Sequence, residues 1–143
     1  MRIWHISDTH NYHGLLDIYK ADIVICSGDI STPREPVVSK IECLNFIEWY
    51  SKLPIKYKIL VAGNHDIAIE RRYITPADIA NKGIIYLENS STIIEGLKIW
   101  GSPITPTFGV GWAFNKKREK CNDVWQLIPE DANIVVTHGP ARS

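Results

Sequence analysis

The chain lacks most of the features that would assign it quickly to a membrane, a nucleic acid or an oxidising compartment. No apolar run approaches the ~20 residues that a membrane helix needs. Neither sign of charge is in excess, with Lys and Arg totalling 16 and Asp and Glu 16, so no net field draws the protein towards a polyanion. That balance excludes a basic tail as a source of affinity but leaves room for a local basic patch. Cysteine is scarce: Cys26, Cys43 and Cys121 are far apart, odd in number and in no CxxC pairing. Reduced thiols in a soluble, cytoplasmic protein are the simplest expectation. The opening "MRIWHISDTH" enters a polar cluster at once, so no signal peptide is expected. No repeat, low-complexity tract or interdomain linker interrupts the sequence, and residues 1–143 are read as one domain able to bury a core.

What is present is a series of short Ile- and Val-rich runs, each ending in a polar or glycine-bearing cluster. "RIWHI" stops at "SDTH", "DIVIC" at "SGD", "YKILVA" at "GNHD" and "NIVV" at "THGP". Short runs that are apolar on both faces indicate buried strands of a parallel sheet. Between the second and third, Val37, Ile41, Leu44, Ile47 and Tyr50 recur at helical spacing, with Pro36 near the start. Strand, helix, strand is a crossover unit, and it brings successive strand ends to one edge. In open α/β sheets that carboxyl edge is where ligands bind.

The middle of the chain changes character. "GIIYLENSSTIIEGLKIWGSP" reads as short strands joined by the turns "LENSS" and "EG", closer to an antiparallel hairpin. "SPITPTFGVGWAFN" reads as a loop, followed by a second helix over roughly residues 116–127. The fold class expected is therefore α/β, with helices beside parallel strands and a hairpin after them.

Taken together, the strand ends carry Asp8 and His10, then Asp29, then Asn64, His65 and Asp66, then His138. Taken singly they are weak signals. "SDTH" is more often a turn or helix cap, "SGD" is an ordinary turn, and only "GNHD" resists dismissal. Gathered on one edge, the carboxylates and imidazoles would repel or lose hydration unless a cation sat among them. Carboxylate, imidazole and amide donors without a thiolate suit Mn, Fe or Zn. Two such ions ~3.5–4 Å apart, bridged by one carboxylate, form a clamp suited to attack at phosphorus. Gly28 and Gly63 let the backbone turn sharply and leave room beside the ligands.

These four clusters, in this order, resemble the signature of the calcineurin-like metallophosphoesterase superfamily: D-x-H, G-D, G-N-H-D/E and a strand-end histidine. The stretches "YLENSSTIIEGLKIWGSPITPTF" and "GWAFN" are similar to the small metallophosphoesterase-domain proteins of animals and their bacterial relatives. The resemblance implies a two-sheet sandwich flanked by helices, α/β/β/α, and two divalent metal ions. It implies that Asp8 and His10 bind the first metal, that Asp29 bridges, and that Asn64 and His138 bind the second. His65 would stand apart from the ligands and protonate the leaving oxygen, with Asp66 orienting it. A hydroxide bridging the metals would attack small phosphodiesters, cyclic-nucleotide-like ones favoured.

The superfamily signature continues with a G-H-x-H motif, whereas this sequence stops at "THGPARS", five residues past His138. A sandwich truncated at its C-terminal end, or a fragment of a longer protein, is the expectation. His5, inside the first strand, reads as a satisfied or packed core histidine. For His13, in the loop after the first cluster, facing the substrate is the sharper of two readings. Trp100, Phe108 and Trp112 read first as packing residues, with a wall that stacks a nucleobase as the sharper idea. Lys116, Lys117, Arg118 and Lys120 read as a solvated face. Two rival functions stand beside the phosphodiesterase. A nuclease is disfavoured by zero net charge, because backbone phosphates need Lys and Arg. A degenerate member that only binds a protein partner is disfavoured by the surviving ligands.

Overall fold

A computed structural model describes residues 1–32 and 35–139; Pro140 of "THGP" and the "ARS" that follows lie outside them. The first three runs form β1 (Ile3–Ile6), β2 (Ile23–Cys26) and β3 (Tyr57–Leu60), and the parallel order β1-β2-β3 is extended by β4 (Ile85–Tyr86). The long helix α1 (Pro36–Ser51) makes the crossover between β2 and β3, and two short helices, α2 (Ile67–Glu70) and α3 (Pro76–Ala80), follow β3. A second sheet is built from β5 (Ser90–Ile94), β6 (Leu97–Ser102) and, after the strands below, the parallel β9 (Ile134–Thr137). Between them lie the paired β7 (Thr105–Pro106) and β8 (Asn115–Lys116), then α4 (Arg118–Trp125).

Strand alternation divides the core into two layers. Val24, Cys26 and Leu60 face α1 and α2, with Phe46, Ile47, Tyr50, Ile67 and Ile69 packed over them. Ile23, Ile25, Ile59 and Val61 point the other way, onto Leu87, Ile94, Ile99 and Val136 of the second sheet. Gly101 lets the sheets meet, since a Cβ there would lie 2.8 Å from both Leu87 Cβ and Val61 Cγ2. On the outer face of β6, buried Trp100 meets Trp125 of α4, ring centroids 6.5 Å apart. The layers are α/β/β/α, as the resemblance implied.

The local expectations hold unevenly. The "EG" turn closes the β5–β6 hairpin with positive φ at both Glu95 and Gly96, the backbone twist that two-residue hairpins favour. The strand within "GIIYL" departs from expectation: it pairs in parallel with β3, and "LENSS" carries the chain from one sheet to the other. The second helix starts at Arg118 because Lys116 is held in β8 against Pro106. On α1 only Ile47 and Tyr50 of the expected stripe are buried, while Val37, Ile41 and Leu44 are 57%, 55% and 44% exposed. The buried face instead runs through Ser39, Cys43, Phe46, Ile47 and Tyr50. Polar contacts set that rotation: Tyr50 Oη donates to the carbonyls of Val24 and Ile59, and Ser39 Oγ meets Ser31 Oγ.

No helix among the described residues is long and apolar enough to cross a membrane.

Candidate metal centre

The carboxyl ends of β1, β2, β3 and β9 bring the strand-end residues together. Asp8, His10 and Asp29 all adopt positive φ, at 56°, 42° and 58°. That conformation is uncommon for residues with a Cβ, and strain of this kind concentrates at functional sites. Asp29 is buried, only 4% exposed, and stands at the centre. Its Oδ2 lies 3.3 Å from His138 Nε2 and 3.9 Å from His10 Nε2, and its Oδ1 accepts the His65 N–H at 2.9 Å. Two sets of donor atoms result, each within 4.8 Å of one another: His10, Asp29 and His65, and Asp8, Asp29 and His138. Asn64 joins the second through its Oδ1, 2.7 Å from His138 Nε2. Asp8 Oδ1 lies 3.7 Å from His10 Nε2, so its carboxylate stands between the two sets. Asp8 also accepts the neighbouring Ser7 hydroxyl.

The imidazoles share one arrangement. His10 Nδ1 meets the Ser31 carbonyl at 3.1 Å, His65 Nδ1 the Thr32 carbonyl at 2.6 Å, and His138 Nδ1 the Ser27 carbonyl at 2.8 Å. A carbonyl oxygen only accepts, so each Nδ1 carries a proton and each Nε2 is the nitrogen left to face the cluster. This is how metal-ligating histidines are oriented. The donor set of one shared buried carboxylate, a second carboxylate, an amide oxygen and imidazole nitrogens fits hard-to-borderline divalent cations. Without a cation the charges lean on one another. Burial opposes the charged form of both partners, yet the His138–Asp29 contact holds Asp29 below the usual carboxylate range and raises His138 to about 9.

Asp66 departs from its expected part. It is fully buried and its ring neighbour His65 is oriented by Thr32. The Asp66 carboxylate instead accepts the N–H groups of Asp29, Ile30, Ser31 and Gly63 at 2.8–3.1 Å, and the Ser31 hydroxyl at 3.0 Å. It ties the loop after β3 to the loop after β2. Burial, and then the nearby Asp29 charge, push its pKa up to about 6. Gly28 and Gly63 face each other at this junction. A Cβ on Gly28 would lie 2.6 Å from Gly63 N, and one on Gly63 would overlap Asp29. Gly28 also has φ +105°, so the turn as well as the close approach requires it.

The remaining candidates separate cleanly. His13 is buried, 9% exposed, against the rings of Phe46 and Trp49 at 5.4 and 5.1 Å; it packs under the first loop rather than facing substrate. His5 is satisfied, Nε2 lying 2.8 Å from Ser27 Oγ, but it is exposed rather than packed in the core. The reason is that β1 is an edge strand, and His5 lines an open groove of about 300 Å³ with Ile3, Ile25, Ile134 and Val136. Trp112 reaches the site, its ring 4.8 Å from that of His65, and Phe108 lies tilted against it from outside at 5.3 Å while remaining 61% exposed. Thr32, whose carbonyl holds His65, was not legible as a site residue, because a main-chain acceptor leaves no side-chain signal.

The chain matches the calcineurin-like phosphoesterase family over residues 1–143. It belongs to that family. It is 32% identical to human metallophosphoesterase domain-containing protein 1 over 158 residues, which cover 94% of this chain and 47% of that protein. It is 36% identical to a probable rhamnogalacturonate lyase C of Emericella nidulans, over 100% of this chain and 14% of that protein. A Caenorhabditis elegans protein, UPF0046 protein K07C11.7, is 26% identical over 98% of this chain and 51% of its own length. The chain thus spans about half the length of the animal relatives it matches.

Proposed function

We propose that this member of the calcineurin-like phosphoesterase family is a divalent-metal-dependent phosphodiesterase for small, cyclic-nucleotide-like substrates. The observation that carries the reading is the shared Asp29 carboxylate, flanked by histidines whose Nδ1 atoms are all held by main-chain carbonyls. In this reading Asp8, His10, Asp29, Asn64 and His138 hold two ions, with Mn, Fe or Zn matching the donors. Such ions, when bound, neutralise the phosphoryl charge and make a nucleophile available near neutral pH. His65 Nε2 is the nitrogen left to carry a proton to the leaving oxygen, or to bond a phosphoryl oxygen. Because His65 also reaches His10 and Asp29, its ring can sit beside an ion without a change in backbone. Trp112 and Phe108 favour a substrate with an aromatic or nucleobase group, which a ring face can stack. Three buried, unpaired cysteines suit a cytoplasmic setting.

The test is hydrolysis of bis(p-nitrophenyl) phosphate with and without manganese, with Asp29→Asn as the control. Metal-dependent turnover that disappears in the variant is the expected result. Turnover insensitive to chelator, or retained in Asp29→Asn, would sink the proposal.

A further inference from the structure

His65 is held by a carbonyl that itself needs holding. Thr32 lies exposed in the loop between β2 and α1, where an unrestrained peptide would turn towards water and leave Nδ1 without its acceptor. Glu42 of α1 prevents this. The Thr32 N–H donates to Glu42 Oε1 at 2.7 Å, and the Thr32 hydroxyl lies 2.8 and 3.1 Å from Oε1 and Oε2. Hydrogen bonds to a charged acceptor are about twice as strong as neutral ones. One helical turn earlier, Ser39 performs the matching task on the preceding residue. Its Oγ lies 3.1 Å from Ser31 Oγ, and that hydroxyl in turn meets the His65 carbonyl at 3.1 Å. Two side chains on one side of α1 therefore grip consecutive residues of the loop, and both grips end on His65.

We infer that Glu42 is a positioning residue for His65: by clamping Thr32 it fixes the Nδ1–H tautomer and keeps Nε2 turned to the Asp29 cluster. The inference builds on the reading of His65 as the group that protonates the leaving oxygen. The other groups around the ring are Trp112 and His10, at 4.8 and 4.9 Å between centroids, and the Asp29 carboxylate, within 4.8 Å of a ring nitrogen. An anion draws a proton to the nitrogen that faces it, so the Thr32 carbonyl is what holds the proton on Nδ1 instead. With the clamp removed, a neutral imidazole populates both tautomers. Donation from Nε2 leaves the ring as the Nδ1–H tautomer, the form whose remaining proton the Thr32 carbonyl accepts, and without the clamp that form loses its partner.

Two measurements on the purified protein test this, and one does not depend on turnover. The first is the imidazole nitrogen spectrum of 15N-labelled, metal-free protein at about pH 8, above the usual histidine range. His65 is expected as a single Nδ1–H tautomer in the wild type, as a mixture in Glu42→Ala, and as the single tautomer again in Glu42→Gln, whose amide oxygen still accepts both Thr32 donors. Thr32→Val removes only the hydroxyl's bonds and should shift the mixture less, in the same direction; it also serves if Glu42→Ala does not fold. The second is manganese-dependent hydrolysis of methyl aryl phosphodiesters of graded leaving ability. Glu42→Ala should lower kcat about tenfold for a phenolate leaving group and about twofold for a dinitrophenolate, with KM unchanged, as expected when proton delivery is impaired. An unchanged His65 tautomer in Glu42→Ala and Thr32→Val would overturn the inference. So would an equal loss of kcat for every leaving group with no rescue by Gln. If the tautomer shifts as expected but the wild type hydrolyses no phosphodiester, the clamp stands and the phosphodiesterase reading falls.

Discussion

The two loops that border the metal centre are built on different principles. The segment from Gly28 to Ser31 is anchored from beneath by a fully buried carboxylate, with Asp66 accepting three of its N–H groups and one hydroxyl. The segment from Thr107 to Gly111 is exposed throughout. It is held at its start by the Thr107 N–H on the Lys116 carbonyl at 2.8 Å, and where it returns by the Ala113 N–H on the Asn64 carbonyl at 2.8 Å and the Phe114 N–H on Glu70 Oε2 at 2.7 Å. The first loop carries the shared ligand, which must not move by more than a fraction of an ångström if two ions are to stay in register. The second carries Phe108 and leads into Trp112, the two rings that the proposed reading sets against a substrate. A site of this kind divides its rigidity, placing buried hydrogen bonds behind the candidate ligands and leaving the proposed substrate wall to local packing.

The comparison is broken most severely at Asp66. Replacing it with Ala leaves several buried N–H groups without an acceptor, and each such loss costs on the order of 1–3 kcal/mol. A loss of about 4 kcal/mol in unfolding free energy is expected, measured by denaturant titration, together with failure to take up metal. An equally stable Asp66→Ala protein would show that the loop after β2 holds itself. The second loop should respond in function rather than stability. The double variant Phe108→Ala, Trp112→Ala removes a stacking surface that contributes roughly 1 kcal/mol. It should raise KM about fivefold for a cyclic nucleotide while leaving KM for a small aryl phosphate unchanged. Equal changes on both substrates would remove the stacking role. The smallest effect sharpens the picture of the anchored side. Burial lowers the pKa of His13, so the unfolded chain binds its proton first. The stability held by neutral His13 is complete above its ordinary value of 6.5 and is lost as pH falls below it, at up to ~1.4 kcal/mol per pH unit. Thermal midpoints between about pH 7 and 5 should fall less steeply in His13→Leu than in the wild type; parallel curves would mean that His13 stays hydrated.

Much of this was legible in the residues. The four strand-end clusters sit where the apolar runs stop, because a run of Ile and Val ends locally, within a few residues. The family match and the α/β/β/α layers agree with that reading. The errors are of another kind. The helical spacing of Val37, Ile41, Leu44, Ile47 and Tyr50 marks α1, but spacing alone does not say which way a helix is turned, and the first three are exposed. Ser39 and Tyr50, bonded to Ser31 and to the strand carbonyls, decide it. The resemblance likewise implied that Asp66 orients His65, whereas its carboxylate accepts the N–H groups of Asp29, Ile30, Ser31 and Gly63.

The sequence by itself determined the donor types, their order along the chain and the edge they share, since strand ends and turns are set by neighbours a few residues apart. Only the tertiary structure decided which atoms those residues face. Asp66 reaches Asp29 across 37 residues, Thr32 reaches His65 across 33, and His138 reaches Ser27 across 111. Main-chain carbonyls and N–H groups occur at every position, so no residue type announces which of them will meet a given side chain. That choice is made when the sheets pack.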